Sequence, residues 1–177
     1  MKNTRIPSRA RARTQLNALS VQRGNTARKG RRKTVIDREA LPLLLTLSSG
    51  VQGFTTIHAG SARQALTRLR FISQLSDTSS ELPLTALNTL VSEAIDVVVH
   101  VDRTSDGPIV TEITAVEEPL GGADAHHFTT TTLFERRGRN TELTWTGQVS
   151  ARLAQRFERA DDDLALVLGT QPLVAQP

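Results

Sequence analysis

The chain contains no cysteine and no tyrosine, and aromatic residues make up only 3% of its 177 positions. Without cysteine, disulfides and thiolate metal sites are excluded, which suits a reducing cytoplasm. Lysine is confined to positions 2, 29 and 33. No apolar run reaches the roughly 18 residues of a membrane span. The N-terminus lacks the apolar segment of a secretory signal, so a cytoplasmic location is expected. The pattern Gly-x-x-x-x-Gly-Lys-[Ser/Thr] occurs nowhere, which removes the usual phosphate-cradling loop. Gly24-Asn-Thr-Ala-Arg-Lys-Gly30 has the wrong order, and no strand is expected before it.

Acids are also missing from one end. Residues 1–36 contain none, and residues 1–38 hold twelve of the 22 Lys/Arg against Asp37 alone. That leaves ten basic and seventeen acidic residues in 39–177, a net of −7. The overall +4 is therefore a property of the N-terminal segment, and the body is not itself a nucleic-acid footprint. A segment so rich in Arg, Ser, Thr and Gly buries too little apolar area to offset its ordering entropy. The expected division is a disordered basic tail over 1–37, a folded domain over 38–169 and a frayed end over 170–177. The tail reads as a solvated segment without a partner, as an electrostatic arm for nucleic acid or anionic lipid, as a transit peptide by its acid-free, Arg-rich composition, or as text unrelated to the domain.

What the body does contain is organised around Ser49-Gly-Val-Gln-Gly-Phe-Thr-Thr-Ile-His-Ala-Gly-Ser-Ala-Arg63. Gly50 and Gly53 bracket a turn that asks for positive φ. Phe54 to Ile57 fits a short strand. Ser61 with Gln64 forms a capping box that opens a helix. His58 thus falls where a strand ends and a helix begins.

The flanking pattern is α/β. Residues 38–49 predict a short helix with Pro42 in its first turn and Leu41, Leu44, Leu45 and Leu47 inward. Ser61–Leu75 predicts a helix with Ala62, Ala65, Leu66, Leu69, Ile72 and Leu75 inward. Pro83–Ala94 predicts another, with Leu84, Leu87, Leu90, Val91 and Ala94 inward. Three antiparallel strands are expected at 95–101, 109–116 and 127–134, the first two joined by the hairpin signal Asp106-Gly107. A last helix is expected over 148–168, interrupted at Asp161–Asp163. With one strand before the meander, the sheet looks incomplete.

Residue chemistry alone leaves His58 open. It can act as general acid or base, metal ligand or donor to a phosphate, and it can equally be a histidine satisfied by backbone groups at a strand end. His100 lies on the polar phase of its strand with Asp96 and Asp102 and reads as a surface residue. His126-His127 beside Asp124 lacks further ligands at metal spacing, so no metal site is expected. Asp161–Asp163 lacks the alternating acids of a calcium loop and reads as a helix cap. No Ser-His-Asp order, nucleophile elbow or paired catalytic carboxylates stand out.

The run from Ser48 to Leu69 resembles the histidine-box region of the type II/type IV secretion ATPases, the traffic ATPases of type IV pili, Tad/Flp pili, type II secretion and conjugation. The residues that carry the resemblance are Thr56-Ile-His-Ala59, Ala65-Leu-Thr-Arg-Leu69, Ala94-Ile-Asp-Val-Val-Val99, Arg103-Thr-Ser-Asp-Gly107 and the strand Val110–Val116. They follow one another in the family's order and cover about residues 39–118.

The resemblance implies the C-terminal portion of a RecA-like P-loop ATPase core, with an antiparallel meander and a C-terminal helix. It implies that His58 approaches the γ-phosphate of a nucleotide as a sensor, that Thr55 and Thr56 support its strand at the nucleotide, and that Arg68 and Arg103 are structural or inter-subunit. ATP and Mg²⁺ are the family's cofactors, and full-length subunits in a hexamer or an inner-membrane secretion platform are its partners, with a possible peripheral place at that membrane. The sequence departs at two points. Val51 stands where many relatives carry a second histidine, and the basic tail stands where the P-loop and the acidic motifs belong. The expectation is a truncated secretion or pilus-assembly ATPase that is inactive alone and binds no cofactor of its own. The alternatives are a non-catalytic partner that modulates full-length subunits, and a binder of nucleic acid or anionic membrane through residues 1–38.

Overall fold

The computed structural model describes residues 18–22, 39–75, 82–120, 127–138 and 141–159, together with Leu164 and Leu168. Its centre is a six-stranded sheet in the order β2-β1-β3-β4-β5-β6. The strands are β1 (Ala18–Gln22), β2 (Phe54–His58), β3 (Val97–Thr104), β4 (Gly107–Val116), β5 (Thr130–Glu135) and β6 (Thr144–Trp145). β1 runs parallel to both β2 and β3, and every later pairing is antiparallel. The helices are α1 (Ala40–Ser48), α2 (Ala62–Gln74), α3 (Leu84–Ala94) and α4 (Ala151–Arg159). The expected α/β class, with its antiparallel meander and C-terminal helix, is present.

Strand β1 is the main departure from the sequence reading. It lies within the stretch expected to be a disordered tail, yet it sits between β2 and β3. Both of its edges carry ladder hydrogen bonds, and those partners, more than local apolar content, make Ala18–Gln22 a strand. It also precedes Gly24–Gly30, where no strand was expected; that segment lies outside the described residues. So do the loops at 76–81 and 121–126, the Asp161–Asp163 stretch, and the segment 170–177 expected to fray.

The helices form where apolar spacing and caps coincide. α2 opens on Ser61, whose side chain accepts from the Gln64 N–H at 3.2 Å, while Gln64 Oε1 accepts from the Gly60 N–H at 3.1 Å. The capping box therefore closes one residue further out than its usual form. α1 ends in Gly50 at φ +94°, a conformation that favours glycine. Gly53 does not share that reason. A Cβ there would run into the Leu47 side chain, so the close approach to α1 favours glycine. Two leucines expected inward point out: Leu45 and Leu75 are both exposed.

Alternation along β3 divides the core in two. Val98 joins Ile57, Val116 and Phe128 under α1, α2 and α3. Val97 and Val99 join Ala115, Leu133 and the α4 residues Leu153 and Phe157 on the opposite face. Helices thus cover both faces of the meander. On the β2 side, Phe54 is 68% exposed and His58 is exposed on the face away from α1–α3.

Candidate functional site

His58 is the last residue of edge strand β2. Ile57 is buried among α1–α3, so Phe54, Thr56 and His58 alternate onto the other face, while Thr55 points with Ile57. The chain turns through Ala59-Gly60 into the Ser61 cap directly afterwards. The imidazole is therefore exposed at the carboxyl edge of parallel strands, where ligands bind in open α/β sheets.

Register identifies its neighbours. His58 is level with Gln22, and Gln22 with Val101. Arg103, two residues beyond Val101, points to the same face by alternation and is exposed. His58 and Arg103 thus flank the carboxyl end of β1 on one face, separated laterally by two strand spacings, about 10 Å. Of the other residues singled out in the sequence, Thr56 shares this face and Thr55 does not. Arg68 is exposed on α2, on the opposite side of the sheet.

His100 corrects its expectation. It is 6% exposed and, by the register through β1, level with buried Ile57 on the face of the helix layer. The Thr111 hydroxyl donates to the His100 carbonyl at 3.3 Å and lies 2.8 Å from Nδ1. The two contacts are satisfied together when Nδ1–H donates to the hydroxyl and the hydroxyl donates to the carbonyl. Nε2 of His100, and Oδ1 of Asp102 two residues on, are buried and lack a hydrogen-bond partner.

Asp96 plays a part that its local sequence context does not reveal. It is fully buried and holds two arginines of α4, Arg152 at 3.0 Å and Arg156 at 2.7 Å. The Arg152 guanidinium also donates to the carbonyls of Ser92, Glu93 and Val116. Two of those carbonyls end α3, where a cation complements the helix dipole. The available signal was a pair of arginines at i and i+4 beside the apolar pair Leu153 and Phe157.

Among the described residues no group of three or more His, Cys, Asp or Glu could hold a metal ion. Among the described residues, β3 brings no carboxylate for Mg²⁺ to the face around His58. Asp102, the carboxylate nearest along β3, alternates to the other face, and no P-loop pattern occurs in the chain.

No protein-family model matches this chain, and no curated protein does. Among solved structures it is similar to the VirB11 ATPase of the Brucella suis type IV secretion system, determined in complex with sulphate. The identity is 20% and the TM-score 0.42, over 55% of this chain and 39% of that one. The chain therefore spans about two fifths of the length of the protein it matches.

Proposed function

We propose that this chain is the phosphate-sensing part of a secretion-type ATPase, a non-catalytic unit that works with P-loop-bearing subunits. The observation that carries the reading is the exposed His58 at the carboxyl end of β2, on one face with Arg103 at the end of β3. The chain leaves β1 between them, and residues 23–33 that follow include six Lys/Arg and two glycines. The exposed imidazole of His58 and the guanidinium of Arg103 at that edge suit an anion. The ordered motifs from Thr56 to Val116 supply the family. The ATPase role of the partner subunits and the hexameric assembly both belong to this proposal.

In the mechanism so framed, the chain performs no bond-making step. His58 donates a hydrogen bond to a phosphate oxygen presented by a neighbouring subunit. The strand-to-helix turn at Ala59–Ser61 passes that contact to α2. Without P-loop amides, their Lys and the Mg²⁺ hydroxyl, hydrolysis has no cradle.

The test is phosphate release and sedimentation. The purified chain releases no phosphate from ATP. Mixed with a P-loop-bearing secretion ATPase, it co-sediments and changes the turnover; its His58→Ala form co-sediments and does not. Turnover by the chain alone, lost in His58→Ala, would refute the non-catalytic reading. Failure to co-sediment would refute the partnership.

A further inference from the structure

The outer face of α2 has no role in the site above. At 100° per residue, its exposed side chains Arg63, Gln64, Thr67, Arg68, Phe71 and Leu75 fall within an arc of about 140°. Phe71 lies near the middle of that arc and Arg63 and Arg68 at its margins. Phe71 and Leu75 are 58% and 55% exposed and lie one turn apart, which makes them neighbours on the surface. The Thr67 hydroxyl already donates to the Arg63 carbonyl at 3.1 Å, so Thr67 can be covered without stranding a polar group. Arg63, Thr67, Phe71 and Leu75 form one i, i+4 ridge.

Charge decides what fits this ridge. Arg63 and Arg68 make no ion pair among the described residues. The described residues between 40 and 92 contain no Asp or Glu at all. The described carboxylates lie instead at Glu39 before α1, on α3's last turn, along the meander and its connections, and on α4, while Asp77 and Glu81 fall outside the described residues. An aromatic anchor rimmed by unpaired cations matches a helix with an apolar seam and acidic flanks. No described helix of this chain has that pattern, since α4 carries Glu158 beside Arg156 and Arg159, so among the described residues a second copy does not supply it. A bilayer would gain only two apolar side chains from the arc, whereas a helix seam needs no more.

We infer that the α2 face is a docking surface for an acidic amphipathic helix of another protein. The inference does not rest on the phosphate-sensing reading, because α2's outer face lies across the sheet from His58.

The probe is a fluorescent 21-residue helix with a leucine seam and glutamate flanks, tested on the full chain at 0.15 M salt by anisotropy. Its lysine-flanked counterpart and vesicles of equal phosphatidylglycerol and phosphatidylcholine serve as competitors. The basic N-terminal segment attracts any acidic peptide, so the readout is the difference between wild type and α2 variants. The Glu-flanked helix binds, the Lys-flanked one does not, and Phe71→Ser and the double variant Arg63→Glu/Arg68→Glu each weaken binding at least tenfold. Phe54→Ser, which removes a more exposed aromatic on the other face, leaves binding unchanged. Circular dichroism confirms that each variant is folded. Equal binding by wild type and Phe71→Ser overturns the inference. Vesicles bound more tightly than the peptide, with the same variant dependence, would reassign the surface to lipid. Self-association lost in these variants would reassign it to a second copy.

Discussion

Replacing Arg152 with methionine removes the one side chain that ties α3, β4 and α4 together. Arg152 is 7% exposed, and its guanidinium meets Asp96 at 3.0 Å while donating to Ser92, Glu93 and Val116 carbonyls. Methionine fills much of the volume, so the lost free energy is electrostatic rather than a cavity. Asp96 then keeps Arg156 at 2.7 Å but loses the Arg152 charge, with the carboxylate still fully buried. Removing one partner of a buried pair costs about 3–5 kcal/mol, chiefly because the other charge stays desolvated. A domain of this size has roughly 5–15 kcal/mol in all, so the variant loses about a fifth or more of its stability. Arg156→Met is the internal comparison: its side chain is 34% exposed, and about 1 kcal/mol is expected after solvent screening. The double variant Asp96→Leu/Arg152→Met removes both charges and recovers part of the loss. Urea unfolding followed by Trp145 fluorescence measures all three. Trp145 is the only tryptophan, and its indole donates to the Gln148 carbonyl at 3.0 Å just before α4. A loss below 1 kcal/mol in Arg152→Met, or equal losses in the two single variants, would refute the claim that the buried arginine is the clamp.

Three further substitutions test local arguments by the same unfolding assay. Gly53→Ala forces Leu47, itself buried, to give way to the new methyl and costs about 1–3 kcal/mol, a value near zero contradicting the close-approach account. Ser61→Ala removes the acceptor for the Gln64 N–H at the start of α2 and costs about 1 kcal/mol, with thermal melting reporting the same order of loss. Thr111→Val strands the second nitrogen of the buried His100 and costs about 1–3 kcal/mol, whereas His100→Leu removes the orphan along with the ring and costs less; the reverse order would show that Nε2 has a partner.

Legibility followed the range of the interactions. α2 was readable because its spacing and its cap are both local, and the meander because β-branched runs and the Asp106-Gly107 turn are local too. β1 was hidden because Leu19 and Val21 are its only large apolar residues and basic text surrounds it. What makes it a strand is the ladder on either side, formed with residues that lie 36 and 79 positions away for Ala18. His100 was misassigned for a related reason. Its polar side chain marks the solvent phase only in a sheet with one wet face, and strands beside parallel partners are buried on both. Asp96 looked like another polar residue at a strand start, since its two arginines come 56 and 60 positions later.

The position of His58 was readable from Phe54–Ile57 and the Ser61 cap, but the direction of its side chain was not. Register supplies it, and register makes neighbouring residues unequal in a measurable way. Ile57 is 1% exposed within the α1–α3 core, and truncation to alanine there costs about 2–5 kcal/mol. His58 is exposed on the far face, so His58→Ala stays within about 0.5 kcal/mol of wild type. A strand slipped by one residue would exchange the two outcomes, because every side chain would change faces. Urea midpoints for the two alanine variants therefore test the placement independently of any activity. If His58→Ala proved the more destabilising, the histidine would be a core residue satisfied by its surroundings, and an outward-facing phosphate sensor at this strand end would be ruled out.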